Sequence, residues 1–364
     1  MNITQNSNAL KIIAFFLVAL ILICLFGFTV DGWQIGKTST EEPDETVDNI
    51  PNDEEELPPN EPEIYVPEYI DPLTGIECDL DLSQKRHLAF ILDSSSPLYG
   101  ISYTDVLIEF PIESGYTRLA SISNEYSEIG KIGSLAKNKD YISSFVSAFE
   151  AIIVADGKDE TKSIDYQNIP SDVIDLNINK EYKYTEFNVY TYSNGDLISQ
   201  GIKNSTLADT YIAPPTLPYN FPEFGQDNVT GKSVFNSITI PYSEKNVTTL
   251  EYSSENNSYA FLKNSSILTD LLNNNQLNFS NCLILFADSI TYEDSSGLQM
   301  VLKTNEYGTG YFFTEGTASE ITWEYSNIGS LTFYDENGDK LTINRGTTYI
   351  SLVKSSQKNF ITLS

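Results

Sequence analysis

Asp140-Tyr141-Ile142-Ser143-Ser144-Phe145-Val146-Ser147-Ala148-Phe149-Glu150-Ala151-Ile152-Ile153-Val154 is the stretch on which the fold turns. Tyr141, Ile142, Phe145, Val146 and Phe149 recur at three- and four-residue intervals, which lays them along one face of a helix, with Asp140 placed to cap its start. Ala151 to Val154 follows at once after Glu150 as a continuous apolar run, the pattern of a strand buried on both faces. A helix passing straight into a buried strand argues for an α/β arrangement. Upstream, Leu88-Ala89-Phe90-Ile91-Leu92 is a second continuous apolar run ending at Asp93, and Val106 to Phe110 and Arg118 to Ser123 are further strand candidates. In sheets of this kind the groups at the carboxyl ends of strands line the ligand crevice, which singles out Asp93 and Asp156. Turn capping is the competing reading for both.

Downstream, Pro214, Pro215, Pro218 and Pro222 fall in a stretch from about 200 to 232 with few periodic apolar positions, where a boundary between two folded units is expected. Beyond it Phe235 to Ile240, Cys282 to Phe286, Met300 to Lys303, Gly310 to Thr314, Ile321 to Tyr325, Leu331 to Tyr334, Leu341 to Asn344 and Tyr349 to Val353 are short and β-branched or aromatic. Asn337-Gly338 predicts a hairpin with a type I′ turn, whose two central residues both take positive φ. Asp335, Asn337 and Asp339 lack the glycine spacing and distal Glu of a calcium loop. The expected fold is α+β, with an N-terminal α/β domain carrying a mixed sheet (69–232), a mainly β C-terminal domain (233–364), and one transmembrane helix before both.

That helix is Ile12 to Val30, free of charge and long enough to cross a hydrocarbon core of about 30 Å. Lys11 precedes it and Asp31 and Trp33 follow, which places residues 1–11 in the cytoplasm and the body outside. The run ends Gly27-Phe28-Thr29-Val30 without a small-residue cleavage site, so an uncleaved signal anchor is expected. Lipidation at Cys24 is the alternative, with Ile23 standing where a lipobox needs a small residue. Residues 31–68 are acidic and proline-rich, with no Lys or Arg from Thr38 to Gln84, the composition of an extended stalk.

With 51 acidic against 21 basic residues the formal net charge is −30, which repels nucleic acid and anionic headgroups, so no nucleic-acid partner is expected. His87 is the single histidine, and in Lys85-Arg86-His87 it reads as the residue leading into a strand rather than as a general base. Outside the membrane segment Cys78 and Cys282 are read as two free buried thiols, the alternative being a disulfide between them. Without a CxxC or Cys/His cluster, no metal and no cofactor is expected.

From Tyr69-Ile70-Asp71-Pro72-Leu73-Thr74-Gly75 nearly to the C-terminus the chain resembles the YerB-like lipoprotein family of bacterial surface proteins, a family of domains of unknown function. The likeness runs through His87 to Asp93, Thr104 to Glu109, Ile129 to Ser134, Thr309 to Thr314, Ile321 to Trp323, Thr332 to Asp335 and Asn344 to Ile350. Glu113-Ser114-Gly115-Tyr116-Thr117-Arg118 is its most specific word. The family's pattern includes Arg and His positions that resemble a polar site, and this chain departs from most of them. Gly133 and Ala136 stand where it has arginines, Phe187 and Ala155 where it has histidines, and Phe261 and Leu268 where it has an Arg and a His. Glu109, Glu113, Arg118, Asn188 and Asp270 remain in place as the candidate ligand-binding residues.

Glu109 and Glu113 flank a turn that ends at Arg118. If they converge, the guanidinium holds one carboxylate ionised while the other keeps its proton, the arrangement of carboxylate-pair hydrolysis. The alternative is that Arg118 only bridges neighbouring strands through a carboxylate. The expected role is a noncatalytic binding or structural protein of the bacterial cell envelope, single-pass in the cell membrane, with a cell-wall or surface-protein partner. The other reading is an envelope hydrolase or glycan-processing enzyme using Glu109, Glu113 or Asp270.

Overall fold

Runs such as Leu88–Asp93 show no alternation because both of their faces meet a core. The computed structural model describes residues 64–159, 172–226, 228–295, 297–326 and 329–364, which belong to one compact unit. The membrane segment Ile12 to Val30, Cys24 and residues 31–63 of the expected stalk lie outside the described residues. Among the described residues no helix is long and apolar enough to cross a membrane.

The first part of the body supplies β1 (Leu88–Asp93), β2 (Val106–Pro111), β3 (Thr117–Ser123), β4 (Ile132–Leu135), helix α1 (Asp140–Ser147), β5 (Ile152–Ala155), β6 (Val173–Asp175), β7 (Tyr184–Glu186), β8 (Tyr190–Ser193) and helix α2 (Gly195–Asn204). The second supplies β9 (Ser233–Val234), β10 (Ser237–Ser243), β11 (Asn246–Ser253), β12 (Ser258–Lys263), β13 (Ser266–Ile267), β14 (Asn278–Phe279), β15 (Asn281–Ala287) and the hairpin β16 (Ser289–Asp294) and β17 (Gly297–Leu302). The chain ends with β18 (Tyr307–Thr314), β19 (Thr317–Tyr325), β20 (Leu331–Tyr334), β21 (Thr348–Lys354) and β22 (Thr362–Leu363). One large mixed sheet runs β20-β19-β18-β15-β21-β2-β3-β1-β4-β8-β7, and a second runs β13-β12-β11-β10-β22. The described body is thus mostly β with two α-helices. The expected boundary at 232/233 falls just before β9, and strands from both sides of it share the large sheet: β21 lies between β2 and β15, parallel to each.

Strand side chains alternate faces with period two, so the large sheet sorts its apolar residues into two cores. Ala89, Ile91, Ile108, Phe110, Ala120, Ile122, Ile153 and Ile350 face one side, where Tyr141, Ile142, Phe145, Val146 and Phe149 of α1 and its end close the core. Phe90, Leu92, Leu107, Leu119, Val154 and Tyr349 face the other, against Ile240, Leu250 and Phe261 of the second sheet and Ile198 and Ile202 of α2. The predicted helical stripe at 141–149 is therefore the cover of the first core. Its cap differs from expectation: Lys139 holds the N-cap position without a side-chain cap, and Asp140 is the first helical residue.

The sheet forks at β1. Leu88, Ala89 and Phe90 pair in parallel with β5, whereas Leu92 pairs with β4 on the same edge. The segments leaving β4 and β5 are then zipped by backbone hydrogen bonds from Asp156 N to Ala136 O (2.9 Å), Asn138 N to Gly157 O (2.9 Å) and Asp159 N to Asn138 O (2.8 Å). Three further expectations are modified. Leu341–Asn344 forms no strand: its backbone makes an isolated bridge to Asn220, and Asn344 bonds Val229, Asn281 and Thr314. In the Asp335–Asp339 hairpin only Gly338 has positive φ (87°), and Asp335 accepts from Asn337 N and Asp339 N, so the turn is a three-residue loop rather than type I′. Cys282 is a buried free thiol as expected, but Cys78, also free, is only partly buried.

Candidate functional site

β1, β5 and β6 are parallel, so Asp93, Ala155 and Asp175 end at one edge of the sheet. Antiparallel β3 begins at that edge with Thr117 and Arg118. There the fork opens a cleft of about 750 Å³ whose walls include Glu113, Lys137, Lys139, Lys158, Asp159 and Asn177, with Leu298 and Gln299 of the β16–β17 hairpin closing one side. Lys137 and Lys139 are two apart on the extended segment after β4, and Lys158 and Asp159 lie on the segment zipped to it.

Glu113, Lys139, Asp159 and Arg118 form one network at the cleft. Lys139, almost fully buried, places its Nζ 2.9 Å from Glu113 Oε1 and 3.3 Å from Asp159 Oδ2. Arg118 Nη1 lies 2.7 Å from the same Asp159 oxygen. Met300 N donates to Glu113 Oε1 at 3.0 Å, which docks the β16–β17 hairpin onto the cleft. Lys158 pairs with Asp140 at 2.7 Å. Burial pushes the Asp159 carboxyl up, but Arg118 and Lys139 outweigh it and hold the group below the usual carboxylate range.

Glu109 is not part of this cleft. It pairs across the ladder with Leu119, while Arg118 pairs with Phe110, and in an antiparallel pair directly opposed residues share a face. Glu109 therefore faces the second sheet and Arg118 the α1 side. Fully buried, Glu109 accepts from Thr117 Oγ1 (2.6 Å) and Lys263 Nζ (2.5 Å) on Oε1, and from Thr248 Oγ1 (2.8 Å) and Tyr349 OH (2.7 Å) on Oε2. Burial raises its carboxyl, yet Lys263 and the hydroxyl donors bring it below the usual value. Glu109 stitches β2, β3 and β21 to β11 and β12.

The remaining candidates stand apart from both groups. Asp270, also fully buried, accepts from Gly100 N (2.9 Å) and Leu272 N (2.8 Å) on one oxygen and from Ser102 N (2.9 Å) and Ser102 Oγ (2.6 Å) on the other, fixing the 100–103 turn. Asn188 is exposed at the tip of the β7–β8 hairpin, where it and Phe187 both take positive φ (56° and 54°), the geometry of a type I′ turn. Asp93 caps its own turn through Ser95 N, Ser95 Oγ and Ser96 Oγ. Asp156 instead holds Lys183 and Thr191, tying β7–β8 to the end of β5. His87 is buried at the amino end of β1, roughly 20 Å of strand from Asp93. Its Nδ1 meets Asn124 Oδ1, and burial, the largest cause, lowers its pKa to about 4.

Residues 73–207 match the family described as "Protein of unknown function (DUF3048) N-terminal domain" and residues 238–350 its C-terminal domain. The chain belongs to the DUF3048 family. Its structure is similar to the crystal structure of YerB protein from Bacillus subtilis, with 18% sequence identity, a TM-score of 0.67, and coverage of 81% of this chain and 99% of that one. At that identity the likeness is one of fold. No curated protein matches.

The word that carried the resemblance is in this DUF3048 chain a junction between the two faces of the sheet. Glu113 and Arg118 enter the cleft network, Thr117 Oγ1 donates to Glu109 on the other side, and the Gly115 carbonyl, at a residue with φ 76°, accepts from Ser243 and Asn246 of the second sheet. Lys137, Lys139, Lys158 and Asp159 were not picked out in the sequence. Their signal was present: Lys137-Asn138-Lys139 and Lys158-Asp159 directly follow two buried strands in a chain with only 21 basic residues.

Proposed function

We propose that this DUF3048 protein is a membrane-anchored, noncatalytic binding protein of the bacterial cell envelope, which holds its ligand in the cleft at the carboxyl edge of the large sheet. The observation that carries the reading is the separation of the acids. The sheet lies between Glu109 and the Glu113–Arg118 network, and Glu109 and Asp270 spend both oxygens on structural donors. Glu113 and Asp159 do approach each other on the Lys139 ammonium, but Arg118 also holds Asp159 and Met300 N donates to Glu113, so both are engaged by the protein's own donors rather than free to face a glycosidic bond. The charge-free run Ile12 to Val30 with Lys11 before it supports the anchor and the outward orientation.

The test uses the full chain. Expressed in a Gram-positive host, it is expected in the membrane fraction with its body open to external protease. Purified in detergent micelles, it is expected to retain cell-wall fragments, and Glu113→Ala and Arg118→Ala to release them while the fold persists. Recovery as a detergent-independent soluble protein, or turnover of a glycan that Glu113→Gln abolishes, would falsify the proposal.

A further inference from the structure

Asp159 is outnumbered. Arg118 Nη1 and Lys139 Nζ stand 2.7 and 3.3 Å from its Oδ2, and Lys137 Nζ is 4.0 Å from its Oδ1. Elsewhere Lys131–Glu186, Lys183–Asp156 and Lys263–Glu109 each join one cation to one carboxylate. Among the described residues Arg118, Lys137, Lys139 and Lys158 face Glu113, Asp140 and Asp159 around the cleft, one cation more than carboxylates, in a chain whose formal net charge is −30, and the surplus lies on the exposed Lys137 and Lys158. A cleft whose mouth carries a local surplus of one sign concentrates ions of the opposite sign.

The geometry also leaves donors to spare. An ammonium carries three N–H donors. Lys137, 61% exposed, has its carboxylate contact at 4.0 Å, beyond hydrogen-bond range, and Lys158 is 51% exposed at the same mouth. Asn177 and Gln299 supply amides to the wall behind them, and the volume of about 750 Å³ suits a small ligand. Net positive charge disfavours a cation in this place.

We propose that Arg118, Lys137 and Lys139 form a receptor for an anionic group, a phosphate or a carboxylate on the ligand, and that Asp159 is a resident carboxylate competing for the same cations. The inference rests on the cleft being the binding site. An incoming anion takes donors of these cations that Asp159 otherwise accepts from. Asp159 sets the threshold an incoming anion must exceed.

The experiment titrates the full chain in detergent micelles with inorganic phosphate and, in parallel, acetate, by calorimetry and thermal shift. Asp159→Asn removes the competing charge and is expected to tighten one or both anions about tenfold, equivalent to about 1.4 kcal/mol, with a matching ligand-dependent rise in melting temperature. Adding Lys137→Ala to Asp159→Asn is expected to reverse the gain. Lys137 is exposed, so Lys137→Ala alone reports on a folded protein and should weaken anion binding severalfold. Unchanged anion affinity in Asp159→Asn, or a gain that survives Lys137→Ala, overturns the proposal. Wall-fragment binding that depends on Glu113 and Arg118 but is indifferent to phosphate and acetate would refute the anion while leaving the cleft in place.

Discussion

Replacing Lys263 by Met tests whether Glu109 is architecture. The ammonium lies 2.5 Å from a fully buried carboxylate, an attraction of about 7 kcal/mol at an effective dielectric of about 20. Desolvation of both groups offsets most of that in the intact protein, but removing one partner leaves the other charge buried and unpaired, at a typical cost of about 3–5 kcal/mol. Thr117, Thr248 and Tyr349 still donate to Glu109 in the variant, so the lower part of that range is expected at pH 7. The pH dependence carries the sign. In the native protein Glu109 has a lowered pKa, so its contribution is complete above the unfolded value near 4.5 and is lost as pH falls through the folded one. Without Lys263 burial dominates and the folded pKa rises above 4.5, so the variant loses stability as pH climbs through that raised value. The gap between the proteins is therefore widest at neutral pH and narrows toward pH 4. Urea unfolding followed by circular dichroism at pH 7 and pH 5 measures it, and Glu109→Leu combined with Lys263→Met should recover most of the loss. A cost under about 1 kcal/mol at pH 7, or one that does not change with pH, would refute this account of Glu109.

His87 makes a second acid-sensitive element. Its folded pKa of about 4 against 6.5 for the free side chain means that only the unfolded chain takes up its proton between those values, so stability falls by up to about 3 kcal/mol as pH drops from 6.5 to 4. His87→Gln should flatten that limb in denaturation curves, and an unaltered slope would show that other groups set it. Asp105, pushed well up by burial and then by Asp71, acts with the opposite sign, its contribution being lost as pH rises through its folded pKa. Asp105→Asn should therefore gain most at neutral pH and little near pH 4, and a gain confined to acid would contradict the assignment. Arg118→Ala and Lys139→Ala both act through Asp159, so the double variant should differ from the sum of the singles by about 0.5–3 kcal/mol. Strict additivity in a urea double-mutant cycle would dissolve the network. Gly195→Ala, whose added Cβ would press on the Tyr126 and Ser127 carbonyl oxygens at the start of α2, is expected to cost about 1–3 kcal/mol in the same assay.

Where both faces of a strand are buried, the sequence shows it plainly. Leu88–Leu92 and Cys282–Phe286 are continuous apolar runs, Tyr349–Val353 is broken only by Ser351, and each lies in a strand in the interior of the large sheet. Elements that missed detection lack that signal. β11 has Val247, Leu250 and Tyr252 among Asn, Thr, Glu and Ser, and Thr248 is buried there, where its hydroxyl serves Glu109. β7 and β8 are short, tyrosine- and threonine-rich strands at the sheet margin. α2 carries Ile198 and Ile202 as its buried apolar residues, and its clearest sign was Asn194, which caps it by accepting from Leu197 N at 2.8 Å. The expectation of an α/β first half came from one real helix-to-strand passage, but β2 and β3 are joined by a short 3-10 turn and β7 and β8 form a hairpin.

The expected convergence of Glu109 with Arg118 fails for a related reason. Val106–Pro111 is buried at every position, so its sequence carries no phase: nothing in Val-Leu-Ile-Glu-Phe-Pro says which face Glu109 shares with which neighbour. The phase is set by the connection at 112–116, where Ser114 and Gly115 with φ of 59° and 76° close the turn so that Glu109 meets Leu119 and Phe110 meets Arg118. A register shifted by one residue would have put Glu109 and Arg118 on one face and made the carboxylate–guanidinium pairing possible. With the observed register, each polar side chain on a face of the sheet must be satisfied inside a core, as Glu109 is, and freedom to meet a ligand is left to groups at the strand ends. The segments after β4 and β5 carry such groups: two lysines spaced by one residue, the exposed Lys137 and the buried Lys139, and a carboxylate shared among three cations.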